Sequence, residues 1–219
     1  LDALGIAACQ ISASLYESVR VGKTARNTYA AHAALVGTLS AESAAAGISA
    51  PSAAFEQAAL QMGSGRMPAA GWPWCEPGEF LILQGYFKPY AGVRHTHYAV
   101  EAALQWRAHH DRDTRVIELI VLETYPEAIT YCGVRAARTL IQAQFSLSYA
   151  TAYALRTGGL GTDAYTAEAL GDAEQQRLES VVELRADPEI AGRGARVRVR
   201  TSQGEQVYFA DVVEGDAAR

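Results

Sequence analysis

The sequence predicts an α+β protein in which part of an all-α helical domain, residues 1–80, is followed by a smaller α+β domain, residues 81–219. Three observations predict this fold class. Residues 1–62 are rich in alanine and nearly free of proline, which favours packed helices. Residues 63–79 are rich in glycine and proline, which is typical of a connection between two parts of a chain. After this connection, helical and strand patterns follow one another, as expected of an α+β layer.

The first part is predicted to be entirely helical. Small and apolar side chains recur at helical spacing over residues 4–11 and 31–39, so the helices are expected to approach one another closely on these faces. Residues 47–51 break the pattern. Ser52 then supplies a side chain suited to the N-cap of a further helix.

The second part opens with a loop that leads into a helix over residues 94–107, for which Thr96 is a candidate cap. Residues 116–125 alternate in polarity and are rich in β-branched side chains, which predicts a strand. Pro126 ends this strand because proline lacks the amide hydrogen that a sheet needs.

The remaining chain is predicted to add two helices and further strands. An amphipathic helix is expected over residues 139–155, closed by Gly158, and Thr162 is a candidate cap for a short helix after it. Residues 181–184 read as a strand. Residues 196–209 alternate on both sides of a turn, which predicts a β-hairpin.

The first strand of this hairpin carries Arg196, Arg198 and Arg200. Their spacing places them on one face of the strand, which we expect to face water. No aromatic side chains for base stacking are interleaved with them, and the net charge of the chain is −5. Nucleic-acid binding is therefore not expected.

Composition excludes several other classes of protein. No run of about 18 apolar residues is present, so no membrane-spanning helix is expected. The three cysteines Cys9, Cys75 and Cys132 form no metal-ligand spacing, and their odd number fits a reducing cytoplasm better than a secreted disulfide framework. The first residues contain neither an initiator methionine nor a signal peptide, so we expect a piece of a longer polypeptide.

The chain has two lysines, Lys23 and Lys88, against seventeen arginines. A coding bias toward arginine would leave those lysines whose chemistry arginine cannot copy. An ammonium group is a compact charge whose pKa falls on burial, whereas a guanidinium stays charged. Both lysines are therefore site candidates, although chance survival of a surface lysine is the alternative.

The densest group of candidate site residues lies in residues 86–97. Lys88, Arg94, His95 and His97 offer one ammonium, one guanidinium and two imidazoles at the start of a predicted helix. Such a segment suits an anionic ligand and proton transfer near neutral pH. No further ligands stand at metal-binding spacing, so no metal is expected. Solvated histidines at a polar helix start are the structural alternative.

Several segments, taken in order, resemble the MmgE/PrpD family, which includes 2-methylcitrate dehydratase, cis-aconitate decarboxylase and iminodisuccinate epimerase. Residues 87–97 resemble the family signature K-P-Y-P-x-C-R-x-x-H, although Ala91 and Val93 replace its Pro and Cys. Residues 144–150 resemble the helix start a-k-F-S-l-p-Y, and residues 22–33 resemble the helical K-x-x-H-x-G-x-A-A segment. In the latter segment, Arg26 and Thr28 replace the usual His and Gly.

The resemblance implies a helical domain with an α+β lid, an active site between them, no cofactor and a homodimer. It implies a cytoplasmic lyase that acts on a small polycarboxylate, of the 2-methylcitrate dehydratase type, by removing a proton next to a carboxylate-bearing carbon. Lys88, Arg94 and His95 are then expected to bind substrate carboxylates. Lys23, His97 and Tyr131 are expected to be catalytic, without a decision between base and acid.

Two alternatives stay open at this point. The first is an epimerase or decarboxylase of the same family, which needs the same carboxylate contacts but different proton donors. The second is a truncated, non-catalytic paralogue, which the replacements at Arg26 and Thr28 favour.

Overall fold

The computed structural model describes residues 1–11, 17–62, 80–110, 113–190 and 192–216. The chain forms two compact units. One consists of Leu1–Ser18 and Lys23–Leu81, and the other of Val19–Gly22 and Ile82–Arg219. The glycine- and proline-rich connection predicted over residues 63–79 lies outside the described residues.

Helices and one four-stranded sheet together confirm the α+β class. The helices are α1 Asp2–Cys9, α2 Glu17–Arg20, α3 Tyr29–Ala45, α4 Ala54–Met62, α5 His97–His109, α6 Pro126–Cys132, α7 Leu140–Gln144, α8 Leu147–Thr157, α9 Ala167–Gly171 and α10 Ala173–Ser180. The strands are β1 Ile117–Thr124, β2 Val182–Ala186, β3 Ala195–Thr201 and β4 Gly204–Ala210.

In the first unit, α1 packs against both α3 and α4. A Cβ atom on Gly5 would lie 2.6 Å from the Cβ of Ala50, so glycine lets the segment after α3 approach α1 closely. The expectation of close helix packing over residues 31–39 is wrong in part, because Leu35 and Leu39 are exposed. The helix α4 begins at Ala54, one residue later than a Ser52 cap would require.

The sheet of the second unit has the order β2-β1-β3-β4. The central strand β1 pairs in parallel with β2 and antiparallel with β3, and β3 pairs antiparallel with β4. The helices α6 to α10 form the crossover between the two parallel strands. Residues 202 and 203 form the turn between β3 and β4, which confirms the predicted hairpin.

The core of the second unit lies between the sheet and its helices. The helix α5 contacts β3, β4 and α8, and α8 also contacts β2 and α10. Ile120 and Leu122 of β1 are fully buried, as are Trp106 of α5 and Tyr149 of α8. Burial of each such side chain stabilises the unit by about 2 kcal/mol.

The prediction of one helix over residues 139–155 is wrong, because two helices, α7 and α8, occupy this stretch. The Ser146 side chain accepts a hydrogen bond from the backbone N–H of Tyr149 and so begins α8. A capping serine has a non-helical backbone, which separates the two helices. Gly158 ends α8 with a φ of 88°, as predicted.

Two of the predicted helix caps do not form. The Thr96 hydroxyl donates a hydrogen bond of 2.8 Å to the carbonyl of Val93 instead of accepting one from α5. Thr162 begins a single 3₁₀ turn, and α9 after it is capped by Thr166.

The arginine stripe on β3 faces carboxylates rather than water alone. Arg196 and Arg198 both contact Glu123 of β1, at 2.9 Å and 3.3 Å. Arg200 lies 3.9 Å from Glu118 on the same strand. The expectation of a purely solvated stripe is therefore corrected, since strand pairing aligns β3 with acidic residues of β1.

None of the helices in the described ranges combines the length and the apolar character that crossing a bilayer requires.

Candidate active site

The segment before α5 is held in place by backbone contacts to distant parts of the second unit. The amide of Ala91 donates to the carbonyl of Leu160 at 2.8 Å, and that of Val93 donates to the carbonyl of Gln144 at 3.0 Å. Arg94–Thr96 then forms a 3₁₀ turn that leads directly into α5. These contacts hold in place the segment that carries Lys88, Arg94, His95 and His97.

Gly92 is required by this path. Its φ of 93° lies in the left-handed region, and a Cβ atom there would lie 3.2 Å from the Gln144 carbonyl and would clash with the Tyr165 hydroxyl. Only glycine combines this conformation with so close an approach. The segment therefore passes Tyr165 in one defined conformation.

His95 is half-buried between two tyrosines. Its Nδ1 atom lies 2.6 Å from the Tyr125 hydroxyl, and its ring stacks on Tyr131 with 5.8 Å between ring centroids. Burial lowers the pKa of His95. The negative charge of Glu127 raises this pKa, whereas the positive charges of Arg193 and Arg94 lower it. The imidazole is therefore neutral near pH 7.

His97 is fully buried at the first position of α5. Its Nδ1 atom is hydrogen-bonded to the Tyr86 hydroxyl. The rings of His97 and Tyr90 pack nearly perpendicular to each other, with 5.5 Å between their centroids. Burial lowers the pKa of His97 to about 4, helped by the positive charges of Lys88 and Arg94.

The tautomer of His97 follows from its partner. Burial raises the pKa of Tyr86 to about 12, so Tyr86 is a neutral phenol. A neutral phenol donates its proton to Nδ1, which leaves the imidazole proton on Nε2. Within the described residues, that buried Nε2 atom has no hydrogen-bond partner.

Arg94, predicted to bind substrate, already has an anionic partner in the chain. Its guanidinium donates to Asp216 at 2.6 Å and lies 3.8 Å from the centre of the Tyr86 ring. The ion pair and the cation–π contact hold Arg94 in one orientation. Its role in substrate binding stays a prediction.

Lys88 is exposed, and its Nζ atom donates a hydrogen bond of 2.9 Å to the carbonyl of Gly92. Its charge contributes to the lowered pKa of His97, so the ammonium lies within electrostatic range of that imidazole. The structure thus brings Lys88, Arg94, His95 and His97 to the same end of the second unit.

The two other predicted catalytic residues lie on different units. Tyr131 belongs to the last turn of α6 and stacks on His95 in the second unit. Lys23 belongs to the first unit, where it is exposed just before the 3₁₀ turn Ala25–Thr28 that leads into α3. The catalytic role of both residues stays a prediction.

Three residues of this cluster were not selected from the sequence: Tyr125, Arg193 and Asp216. Tyr125 directly follows β1, and Asp216 lies in the turn after β4, so only the fold brings them to His95 and Arg94. Arg193 stands between two glycines just before β3, a turn pattern that could have marked it.

No group of three His, Cys, Asp or Glu side chains in the described ranges is arranged to hold a metal ion. The cluster instead combines positive charges with two neutral imidazoles and several tyrosines. Such a set can bind an anion and exchange protons with it.

Comparison with known proteins identifies the family. Residues 90–215 match the MmgE/PrpD C-terminal domain, and the chain therefore belongs to the MmgE/PrpD family. Members of this family are generally lyases or isomerases. No match is found among curated proteins.

Proposed function

We propose that this chain forms part of the active site of a lyase that removes a proton next to a carboxylate-bearing carbon of a small polycarboxylate, as 2-methylcitrate dehydratase does. The observation that carries the proposal is the clustering of Lys88, Arg94, His95 and His97 at and just before the start of α5. Arg94, His95 and His97 lie within the region that matches the family, and Lys88 lies two residues before it.

The charge distribution of the cluster supports an anionic substrate. Lys88 is exposed, and the N-terminus of the 13-residue helix α5 adds the positive end of its dipole. A polycarboxylate carries several charges, and the intermediate formed on proton removal carries one more. Fixed positive groups stabilise this added charge most strongly where water is excluded. Lys88 and Arg94 are therefore assigned to the carboxylates as positive charges, and the neutral His95 is assigned to them as a hydrogen-bonding group.

Proton transfer is assigned to the remaining candidates. Dehydration requires a base for the C–H proton and an acid for the departing hydroxyl group. Tyr131 is 40% exposed, so a ligand can approach its side chain. His97 is buried, so in this scheme it acts through the hydroxyl of Tyr86. Lys23 is the candidate base from the first unit.

One observation favours a second candidate function, a non-catalytic relative that binds an anion or supports a homodimer. The carboxylate of Asp216 already pairs with Arg94, where the family signature would place a substrate-binding charge. Such an internal partner would compete with a substrate carboxylate for the guanidinium.

The decisive experiment is proton exchange in D₂O, followed by NMR with the full-length protein. Citrate, methylcitrate, cis-aconitate and aspartate-derived acids form the panel. Loss of an α-proton signal would demonstrate base chemistry, and the product would separate dehydration from epimerisation and decarboxylation. We expect Lys88→Ala and Lys23→Ala each to slow exchange by about 100-fold or more.

Arg200→Gln is the matched control, because it removes one positive charge from the sheet away from the cluster. Exchange that proceeds unchanged in both lysine variants would contradict the assigned roles. A folded protein that exchanges no proton of any acid in the panel would favour the non-catalytic relative.

A further inference from the structure

Arg193 lies within electrostatic range of His95, and the pairing of β1 with β3 brings it there. The Thr124 hydroxyl at the end of β1 donates a hydrogen bond of 2.7 Å to the carbonyl of Gly194, and Thr124 pairs with Ala195 of β3. This pairing brings the segment that carries Arg193 to the end of β1, where Tyr125 follows the strand. Its positive charge lowers the pKa values of His95, Tyr125 and Tyr86, although burial dominates all three groups.

Arg193 differs from the arginines that follow it on β3. Arg196 and Arg198 lie within 3.3 Å of Glu123, and Arg200 lies 3.9 Å from Glu118. Arg193 is exposed and makes no hydrogen bond or ion pair with any residue in the described ranges. Its guanidinium is therefore available to an external anion.

Tyr125 determines which nitrogen of His95 carries the proton. Burial raises the pKa of Tyr125 well above its usual value, so its hydroxyl stays protonated. This hydroxyl donates to Nδ1 of His95, and the proton of the neutral imidazole then lies on Nε2. The Nε2–H group makes no hydrogen bond within the described part of the chain, so it is a second available donor near Arg193.

We propose that Arg193 and the Nε2–H group of His95 together bind one carboxylate of the ligand, and that Tyr125 holds His95 in the donor tautomer. This inference rests on the proposed function in one respect, because the proposed function is what identifies the ligand as a polycarboxylate. Arg193 is a binding residue in this scheme, and Tyr125 is a positioning residue.

The two donors suit a carboxylate ligand. A guanidinium offers a planar fork of N–H donors that matches the two oxygens of a carboxylate. The neutral imidazole adds one further donor, and no carboxylate of the described residues forms an ion pair with Arg193. Glu127 on α6 is the acidic group whose charge reaches His95, and it is exposed to solvent.

The test uses tricarballylate, an unreactive tricarboxylate, and the histidine ring signals of the ¹⁵N-labelled full-length protein. We expect tricarballylate to shift the His95 Nε2 signal in a saturable way. Arg193→Gln should weaken this binding by about 10- to 100-fold, as expected for the loss of a charged hydrogen-bonding group. Arg200→Gln removes the same charge from β3 and should leave the binding constant unchanged.

Tyr125→Phe tests the tautomer separately. The variant keeps the ring but loses the hydroxyl. In the absence of ligand, the ¹⁵N shifts of His95 should be those of an Nε2–H imidazole in the wild-type protein and those of a mixture of the two tautomers in the variant. An unchanged tautomer pattern would overturn the role of Tyr125. Equal binding constants in Arg193→Gln and Arg200→Gln would overturn the role of Arg193.

These results separate the inference from the proposed function. Arg193-dependent binding together with no turnover of any acid in the panel would support the anion site and contradict the reaction. Turnover that is unaffected in Arg193→Gln would support the reaction and contradict the anion site. No change at His95 on addition of tricarballylate to the wild-type protein would overturn the inference whatever the turnover.

Discussion

Arg94 and Asp216 are joined by a hydrogen bond of 2.6 Å although 122 positions separate them in the chain. The other oxygen of Asp216 accepts the backbone N–H of Val213 at 3.0 Å, which closes the turn after β4. The amide of Phe87 donates to the carbonyl of Gly215 in the same turn. The turn after β4 therefore anchors the segment that carries Lys88.

Asp216→Asn should lower the free energy of unfolding by about 1–2 kcal/mol, because it removes a partly buried charged partner of Arg94. Urea denaturation of the full-length protein measures the change. Asp211→Asn is the matched control, since Asp211 is exposed in the same stretch, and it should leave stability nearly unchanged. Equal effects in the two variants would show that the Arg94 ion pair contributes no stability.

His97 should make stability depend on pH. Its pKa is about 4 in the folded protein, below the usual value of 6.5, so the unfolded state binds an additional proton between these pH values. The free energy of unfolding should therefore fall by about 2 kcal/mol between about pH 7.5 and about pH 5 through His97 alone.

The comparison with His97→Gln isolates this contribution. His95 and Glu179 titrate in both the wild-type protein and the variant. The difference between the two proteins in how the free energy of unfolding depends on pH therefore reports on His97. Urea denaturation at the two pH values should give a weaker dependence in the variant. Parallel curves for the two proteins would contradict a buried, neutral His97.

Gly92→Ala should destabilise the second unit by about 2 kcal/mol or more, because alanine disfavours the positive φ and its Cβ atom clashes with Tyr165. The variant should also move the carbonyl that accepts the hydrogen bond of Lys88. Gly159→Ala is the control, since a Cβ atom there meets nothing within 4 Å. A variant at Gly92 as stable as the control would contradict the tight path of this segment.

Cys132 should resist alkylation in the native protein. Its thiol is fully buried, and burial raises its pKa to about 12, so almost no reactive thiolate forms at about pH 8. Cys9 is exposed and should react. Peptide mass spectrometry after iodoacetamide treatment distinguishes the two residues. Rapid native labelling of Cys132 would show that the core around α6 opens readily.

The strands of the second unit could be predicted because their patterns are local. Alternation in β3 places Val197 and Val199 in the core and Arg196 on the opposite face. The break between α7 and α8 could not be predicted from periodicity, since the apolar spacing continues across Ser146 while its side chain caps a new helix. The helices of the crossover were missed in part because they are short and held by tertiary packing.

The candidate site was predictable only where its residues are close in sequence. Lys88, Arg94, His95 and His97 lie within ten residues, so their common location follows from the chain itself. Tyr125, Arg193 and Asp216 reach them through strand pairing and the turn after β4. Sequence spacing carries no information about such contacts, and for this reason Tyr125 as the partner of His95 and Asp216 as the partner of Arg94 appear only in the folded structure.

The position of β1 between β2 and β3 has a consequence for synthesis of the chain. Both hydrogen-bonding partners of β1 are translated after it, and β3 follows only from Ala195 onward. Until then β1 is an apolar strand with two open edges, the kind of surface on which nascent chains associate. A polypeptide that stops short of β3 would therefore be expected to aggregate, while one that reaches the end of the hairpin can bury both edges of β1.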